Sequence, residues 1–103
     1  MEASELLRRI QSNNAPFIID ARTPMEFKRG HIPGAINAPS IKILLKMETR
    51  LPQDKNAELV IYCEHGQRGT LAKKLLEWSG YHNATLLAGH LLDWKKAGLP
   101  LEK

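Results

Sequence analysis

The sequence predicts an α/β fold: a central, mostly parallel sheet of four to five short strands with helices on both faces. Three observations carry this. Short continuous apolar runs, Phe17-Ile18-Ile19, Leu59-Val60-Ile61-Tyr62 and Ala84-Thr85-Leu86-Leu87, have the pattern of strands covered on both sides. Segments with helical apolar spacing alternate with these runs, the order of a parallel sheet built through crossover helices. Glycine, proline and asparagine stand at the junctions.

Taken in order, Ser4 to Ile10 reads as a helix with Leu6, Leu7 and Ile10 on one face and Ser4 as its cap, broken by Asn13-Asn14. Phe17 to Asp20 is a strand ending in an acid. Thr23-Pro24 opens a short helix through Lys28, with Thr23 as cap, Pro24 at its first position and Glu26 in its first turn; Gly30 ends it. His31-Ile32-Pro33-Gly34 has turn chemistry, and Ala35 to Ala38 is a short strand. Pro39-Ser40 leads into a helix from Ile41 to about Met47, and residues 52–58 are a polar connection. The strand Leu59–Tyr62 is followed by a polar loop and a helix to Trp78 closed by Gly80. The strand from Ala84 to Leu87 leads to a last helix, from Gly89 to Ala97, closed by Gly98 and Pro100.

A chain of 103 residues is the length of one domain, 1–103, with a single core. At 43% hydrophobic and 25% charged residues, neither disorder nor a membrane protein is indicated, and no apolar run is long enough to span a bilayer. The acidic start, Met1-Glu2-Ala3-Ser4-Glu5, lacks the apolar segment of a signal peptide. One cysteine makes no internal disulfide, and a free thiol suits the cytoplasm. The net charge of +4 comes from scattered pairs such as Arg8-Arg9 and Lys73-Lys74, which read as solvated helix faces with a mild attraction for small anions. Aromatic residues do not interleave with them, so no nucleic-acid partner is expected.

The chemistry concentrates at Cys63-Glu64-His65-Gly66-Gln67-Arg68-Gly69. The thiol follows a buried strand and precedes a helix amino terminus, where unpaired N–H groups and the helix dipole favour negative charge. Gly66 permits a positive φ, so successive N–H groups can converge as an anion nest, and Arg68 offers a planar fork for an oxyanion. Glu64 opposes the thiolate unless it points outward, the orientation expected. The simpler alternative, a cysteine packed as a small core hydrophobe, needs neither the glycine nor the arginine. His65 is a general acid or base, or a solvent-exposed loop residue. His31, His82 and His90 show no ligand spacing with one another or with Cys63, so no metal is expected. Asp20 and Arg22 flank a strand end and read as structural support, pairing with each other or with the turn after Gly30.

These residues resemble a known family. Cys63 to Arg68 is similar to the C-x-x-G-x-R active-site loop of rhodanese-type sulfurtransferases. Asp20-Ala21-Arg22 with Glu26-Phe27, Gly30 to Asn37 including His31, and Tyr81 to Leu87 followed by Gly89 and Trp94 resemble the rest of its signature. The resemblance implies a single-domain sulfurtransferase in which Cys63 takes the outer sulfur of a donor such as thiosulfate. It carries that sulfur as a persulfide cradled by the loop from Glu64 to Gly69, and passes it to cyanide or a thiol, a thiol protein included. No cofactor is implied, because the cysteine is the carrier.

Two residues depart from the family pattern: Gly69 stands where many members have serine, and His90 where a second glycine is common. Thr70 is a candidate to replace the missing hydroxyl. Two other functions compete with sulfur transfer. One is a non-catalytic binding or sensing module on the same fold. The other is a cysteine-dependent phosphatase or arsenate reductase, disfavoured because the loop is one residue shorter than that of the phosphatase relatives.

Overall fold

A computed structural model describes residues 1–44 and 50–103. Strands β1 (Phe17–Asp20), β2 (Ile36–Asn37), β3 (Leu59–Tyr62) and β4 (Ala84–Leu86) form one sheet in the order β2-β1-β3-β4, every pairing parallel. The described helices are α1 (Ala3–Gln11), α2 (Pro24–Arg29), α3 (Ser40–Leu44), α4 (Gln67–Trp78) and α5 (His90–Lys96).

The apolar runs of β1 and β3 are continuous because both faces are covered. Ile19, Leu59 and Ile61 pack with Ile43 of α3 and Ala72, Leu75 and Leu76 of α4. Ile18, Val60 and Tyr62 point the other way, into a cluster with Leu6 of α1 and Leu91 and Trp94 of α5. Alternate residues thus serve opposite cores, as the period of a strand requires. Helix α2 buries no residue fully. It owes its definition to its ends: Thr23 and Glu26 form a reciprocal capping box, Pro24 starts the helix, and Gly30 stops it.

Several boundaries differ from the sequence expectation. Ser4 does not cap α1: the helix starts one residue earlier, with Glu2 at the cap position and no side-chain cap bond. The reason is tertiary, since the Met1 ammonium donates to the Leu86 carbonyl and Ala88 N–H donates to the Met1 carbonyl, fixing the chain start beside β4. Strand β2 is only two residues long, because Ala35 N–H turns back to the Ile32 carbonyl. Helix α3 begins at Ser40, and residues 45–47 of the expected helix lie outside the described residues. Helix α5 is set off by Gly89, which holds a left-handed φ of 74° at its cap.

Strand order places β1 and β3 at the centre, with the chain leaving β1 toward one edge and returning to the other. The crevice above the carboxyl ends of such a strand pair is where open parallel sheets bind ligands. Asp20-Ala21-Arg22 and Cys63 emerge there side by side, joined by Ala21 N–H donating to the Tyr62 carbonyl at 2.9 Å.

Core and surface should respond differently to truncation. Ile61→Ala, at a fully buried central-strand position, should lower stability by about 3 kcal/mol with little change in the urea m-value. Trp78→Ala, at a side chain 87% exposed, should shift it by less than about 0.5 kcal/mol. Urea unfolding of the two variants checks both.

Candidate active site

Cys63 directly follows β3, and the loop it opens runs into α4 with Gly66 at the cap position. Gly66 adopts φ 129°, a region closed to residues with a Cβ, and this turns its N–H toward the cysteine. Gly66 N–H donates to Cys63 Sγ at 2.9 Å. Among the described residues none accepts from the N–H groups of Glu64, His65, Gln67, Arg68 or Gly69, which leaves five further donors in the loop and first turn of α4 without an acceptor there. The sulfur therefore has one loop donor of its own rather than a closed ring. Cys63 is also 1% exposed and lies in the core cluster beneath α4, so the packing role and the loop role coincide in one side chain.

The inward side of the loop is satisfied by α5. Leu91 N–H donates to the Cys63 carbonyl at 3.0 Å and Leu92 N–H to the Glu64 carbonyl at 3.1 Å. Cys63 N–H donates to His90 Nδ1 at 3.2 Å. Nδ1 must be bare to accept, so the neutral ring carries its proton on Nε2.

Around this loop lies a charged frame. Asp20 is fully buried and accepts from Arg22 N–H at 2.9 Å, from Arg22 Nη2 at 2.8 Å and from the Tyr62 hydroxyl at 2.7 Å. Burial, with Asp20 beside it, pushes the Tyr62 phenol well above its ordinary value, so it remains a donor. Arg22 also donates to the Gly30 carbonyl at 2.7 Å and reaches Glu64 at 3.3 Å, while Asn37 Nδ2 donates to the Asp20 and Arg22 carbonyls. This cluster joins β1, β2, β3 and the end of α2. Glu64 points away from the sulfur, toward Arg22 and Lys95.

Arg68 does not face an empty oxyanion position. Its guanidinium pairs with both carboxylate oxygens of Glu26 on α2, at 2.5 and 3.1 Å. That contact was not legible locally, because the partners are 42 residues apart and Glu26 reads as a capping residue, which it also is. Thr70 does not supply the hydroxyl absent at Gly69: its Oγ1 donates back to the Gly66 carbonyl at 2.9 Å. His65 and Gln67 are exposed. His31 lies outside the loop, stacked on Phe27 and donating from Nδ1 to the Phe27 carbonyl at 2.8 Å. Among the described residues no three His, Cys, Asp or Glu side chains cluster as metal ligands would, and no helix is long and apolar enough to cross a membrane.

The fold and the loop thus combine a parallel α/β domain with one thiol on a strand-to-helix loop. Comparison gives the family: the chain belongs to the rhodanese-like domain family, whose sequence profile matches residues 2–97. A sulfurtransferase of Allochromatium vinosum is 32% identical over 101 residues, covering 98% of this chain and 92% of that protein. The thiosulfate:glutathione sulfurtransferase of Saccharomyces cerevisiae is 31% identical, covering 91% of this chain and 76% of that protein. Among solved structures, a human single-domain sulfurtransferase superposes with a TM-score of 0.80 at 26% identity, covering 93% and 94% of the two chains.

The Glu26–Arg68 pair makes a pH prediction. Its hydrogen bonds from Arg68, reinforced by those from Thr23, hold the Glu26 carboxyl down to about 2 from an ordinary 4.5. A depressed carboxyl stabilises the fold above its unfolded value and loses that contribution as pH falls through the folded one. The side chains are 41% and 31% exposed, so solvent screening limits the gain to about 1 kcal/mol. Wild type should therefore exceed Glu26→Gln in thermal midpoint at neutral pH, and the difference should vanish between about pH 4.5 and 2.

Proposed function

We propose that this chain is a sulfurtransferase that moves a sulfane sulfur from thiosulfate or a similar donor to cyanide or a thiol acceptor, through a persulfide on Cys63. The relatives support the general class, a sulfurtransferase-type enzyme. The observation that carries the finer reading is the Gly66 N–H donating to Sγ beside five loop N–H groups that have no acceptor among the described residues.

The chemistry balances without a cofactor. The Cys63 thiolate attacks the outer sulfur of thiosulfate, the donor's S–S bond breaks, and sulfite leaves with the bonding pair. The enzyme then holds Cys63–S–S⁻, an anion suited to hydrogen-bond donors and a helix amino terminus. A cyanide or thiolate acceptor attacks the terminal sulfur, and Cys63 departs as thiolate, ready for the next donor. The unpaired N–H groups from Glu64 to Gly69 are the donors offered to the extra sulfur. Arg68 serves donor oxygens only by loosening its pair with Glu26; otherwise it orients the loop against α2. The cluster of Asp20 and Arg22 supports the loop through Glu64, and His31 supports the turn after α2 by packing on Phe27. A thiol carrier fits a reducing compartment such as the cytoplasm.

One observation favours a second reading, a rhodanese-like binding module: Cys63 is nearly without exposure, as a packing residue would be. The readings separate cleanly. Under the first, protein incubated with thiosulfate and weighed intact should gain one sulfur, lose it on addition of cyanide, and gain none as Cys63→Ala. Wild-type protein that takes up no sulfur, or a Cys63→Ala variant that takes up as much, would overturn it.

A further inference from the structure

Two sequence departures, Gly69 and His90, are 21 positions apart and meet in space. A Cβ placed on Gly69 would lie 3.0 Å from His90 Cε1 and 3.4 Å from Nδ1, with Cys63 N at 3.5 Å. A Cβ on Gly66 would lie 3.2 Å from His90 Nε2. The imidazole thus rests against the cysteine loop at both glycines, while its Nδ1 takes the N–H of Cys63 itself. The ring has little freedom to yield, since His90 is buried and sits in the left-handed region at φ 51°.

We propose that His90 is a positioning residue for Cys63, fixing the main chain of the thiol and the glycines of its loop, and that positions 69 and 90 form a coupled pair in which the ring fills space a side chain at 69 would need. The inference rests on reading Cys63 as the reactive thiol, but not on which group it carries. A serine at 69 pushes the ring off the Cys63 N–H, whereas a serine at 69 with glycine at 90 has room. Neutral His90 accepts; protonated His90 sets Nδ1–H against Cys63 N–H, two donors facing each other. The charged group that acts on the ring is Asp93 from α5; the loop meets it through the main-chain N–H of Cys63, and the start of α4 through Gly66 and Gly69, which bear no side chain. Burial lowers the His90 pKa from its ordinary 6.5, against the opposing pull of Asp93, so the accepting form holds at neutral pH.

The test is alkylation of Cys63 by iodoacetamide, followed by intact mass, with thermal unfolding to verify that each variant is folded. Alkylation needs no sulfur donor, so its outcome is separate from whether the protein transfers sulfur. His90→Gly suits the left-handed φ and removes the acceptor; it should slow alkylation about tenfold at neutral pH, the loss of roughly one buried hydrogen bond. Gly69→Ser should slow it similarly, and the double variant Gly69→Ser/His90→Gly should be no slower than either single one, since the clash is gone. His90→Asn keeps an acceptor near Nδ1, tolerates the left-handed region and does not titrate. Its rate should stay within about twofold of wild type at neutral pH. The ratio of wild-type to His90→Asn rates should then fall at acid pH, on the acid side of the ordinary imidazole value because burial lowers that of His90, where only the histidine protonates. Wild-type reactivity in His90→Gly, multiplicative losses in the double variant, or a pH-independent ratio for His90→Asn would each overturn the inference.

Discussion

Everything at the candidate site depends on how the main chain of Cys63 is held. Its carbonyl accepts from Leu91, its N–H donates to His90, and the next carbonyl accepts from Leu92, so the first turn of α5 takes up the inward-facing groups of the loop. A buried main-chain group without a partner costs free energy comparable to a lost hydrogen bond. The N–H groups that follow, before and within the first turn of α4, are left without an acceptor among the described residues, as the first N–H groups of a helix are. Parallel pairing of β1 with β3 sets the level at which this happens. Gly89 lets α5 begin close enough to reach it.

Charge is arranged around the loop so that little of it is directed at the sulfur. Glu64, the acid beside the thiol, is turned onto Arg22 and Lys95, and Arg68 is held by Glu26. Arg22 is itself consumed by Asp20 and the Gly30 carbonyl. The favourable field at Sγ comes from the Gly66 N–H, which is fixed by the fold, together with the charge of Arg68 acting from its place beside Glu26. The sequence offers Arg68 as a planar fork for an oxyanion; here that fork is taken by the Glu26 carboxylate. An oxyanion that approaches Arg68 must compete with a bidentate carboxylate, so Glu26 joins the loop to α2 as well as completing the capping box of that helix.

Much of this was legible in the sequence because it is local. Strands β1 and β3 were legible as the apolar runs Phe17-Ile18-Ile19 and Leu59-Val60-Ile61-Tyr62, since strands covered on both faces favour apolar residues; Asp20, buried at the end of β1, is tolerated because Arg22 and Tyr62 pair with it. The helix from Thr23 announced itself by Thr, Pro and Glu at the capping positions. Gly66 was legible as the turn residue because a left-handed φ admits little else. What failed depends on contacts distant along the chain. Ser4 lost its capping place to the docking of Met1 against β4, Thr70 spent its hydroxyl on its own helix, and Glu26 met Arg68 across 42 residues. No periodicity or capping rule contains those distances.

Gly69 and His90 show the same limit most sharply. As single letters they are two departures from a pattern, each seeming to weaken the loop: one removes a side chain, the other adds a bulky one. In space the imidazole occupies the volume next to the missing side chain and supplies an acceptor for the N–H of the thiol-bearing residue. A core tolerates a change in shape when total volume is kept, but two such changes must come together, because either alone leaves a cavity or a clash. The pair also exchanges chemistry, since a hydroxyl at position 69 would bring an acceptor that does not titrate, whereas an imidazole brings one that is lost on protonation at acid pH. The loop of this chain is thereby tied to a group whose hydrogen-bonding sense reverses on protonation, and the geometry around Cys63 inherits that dependence.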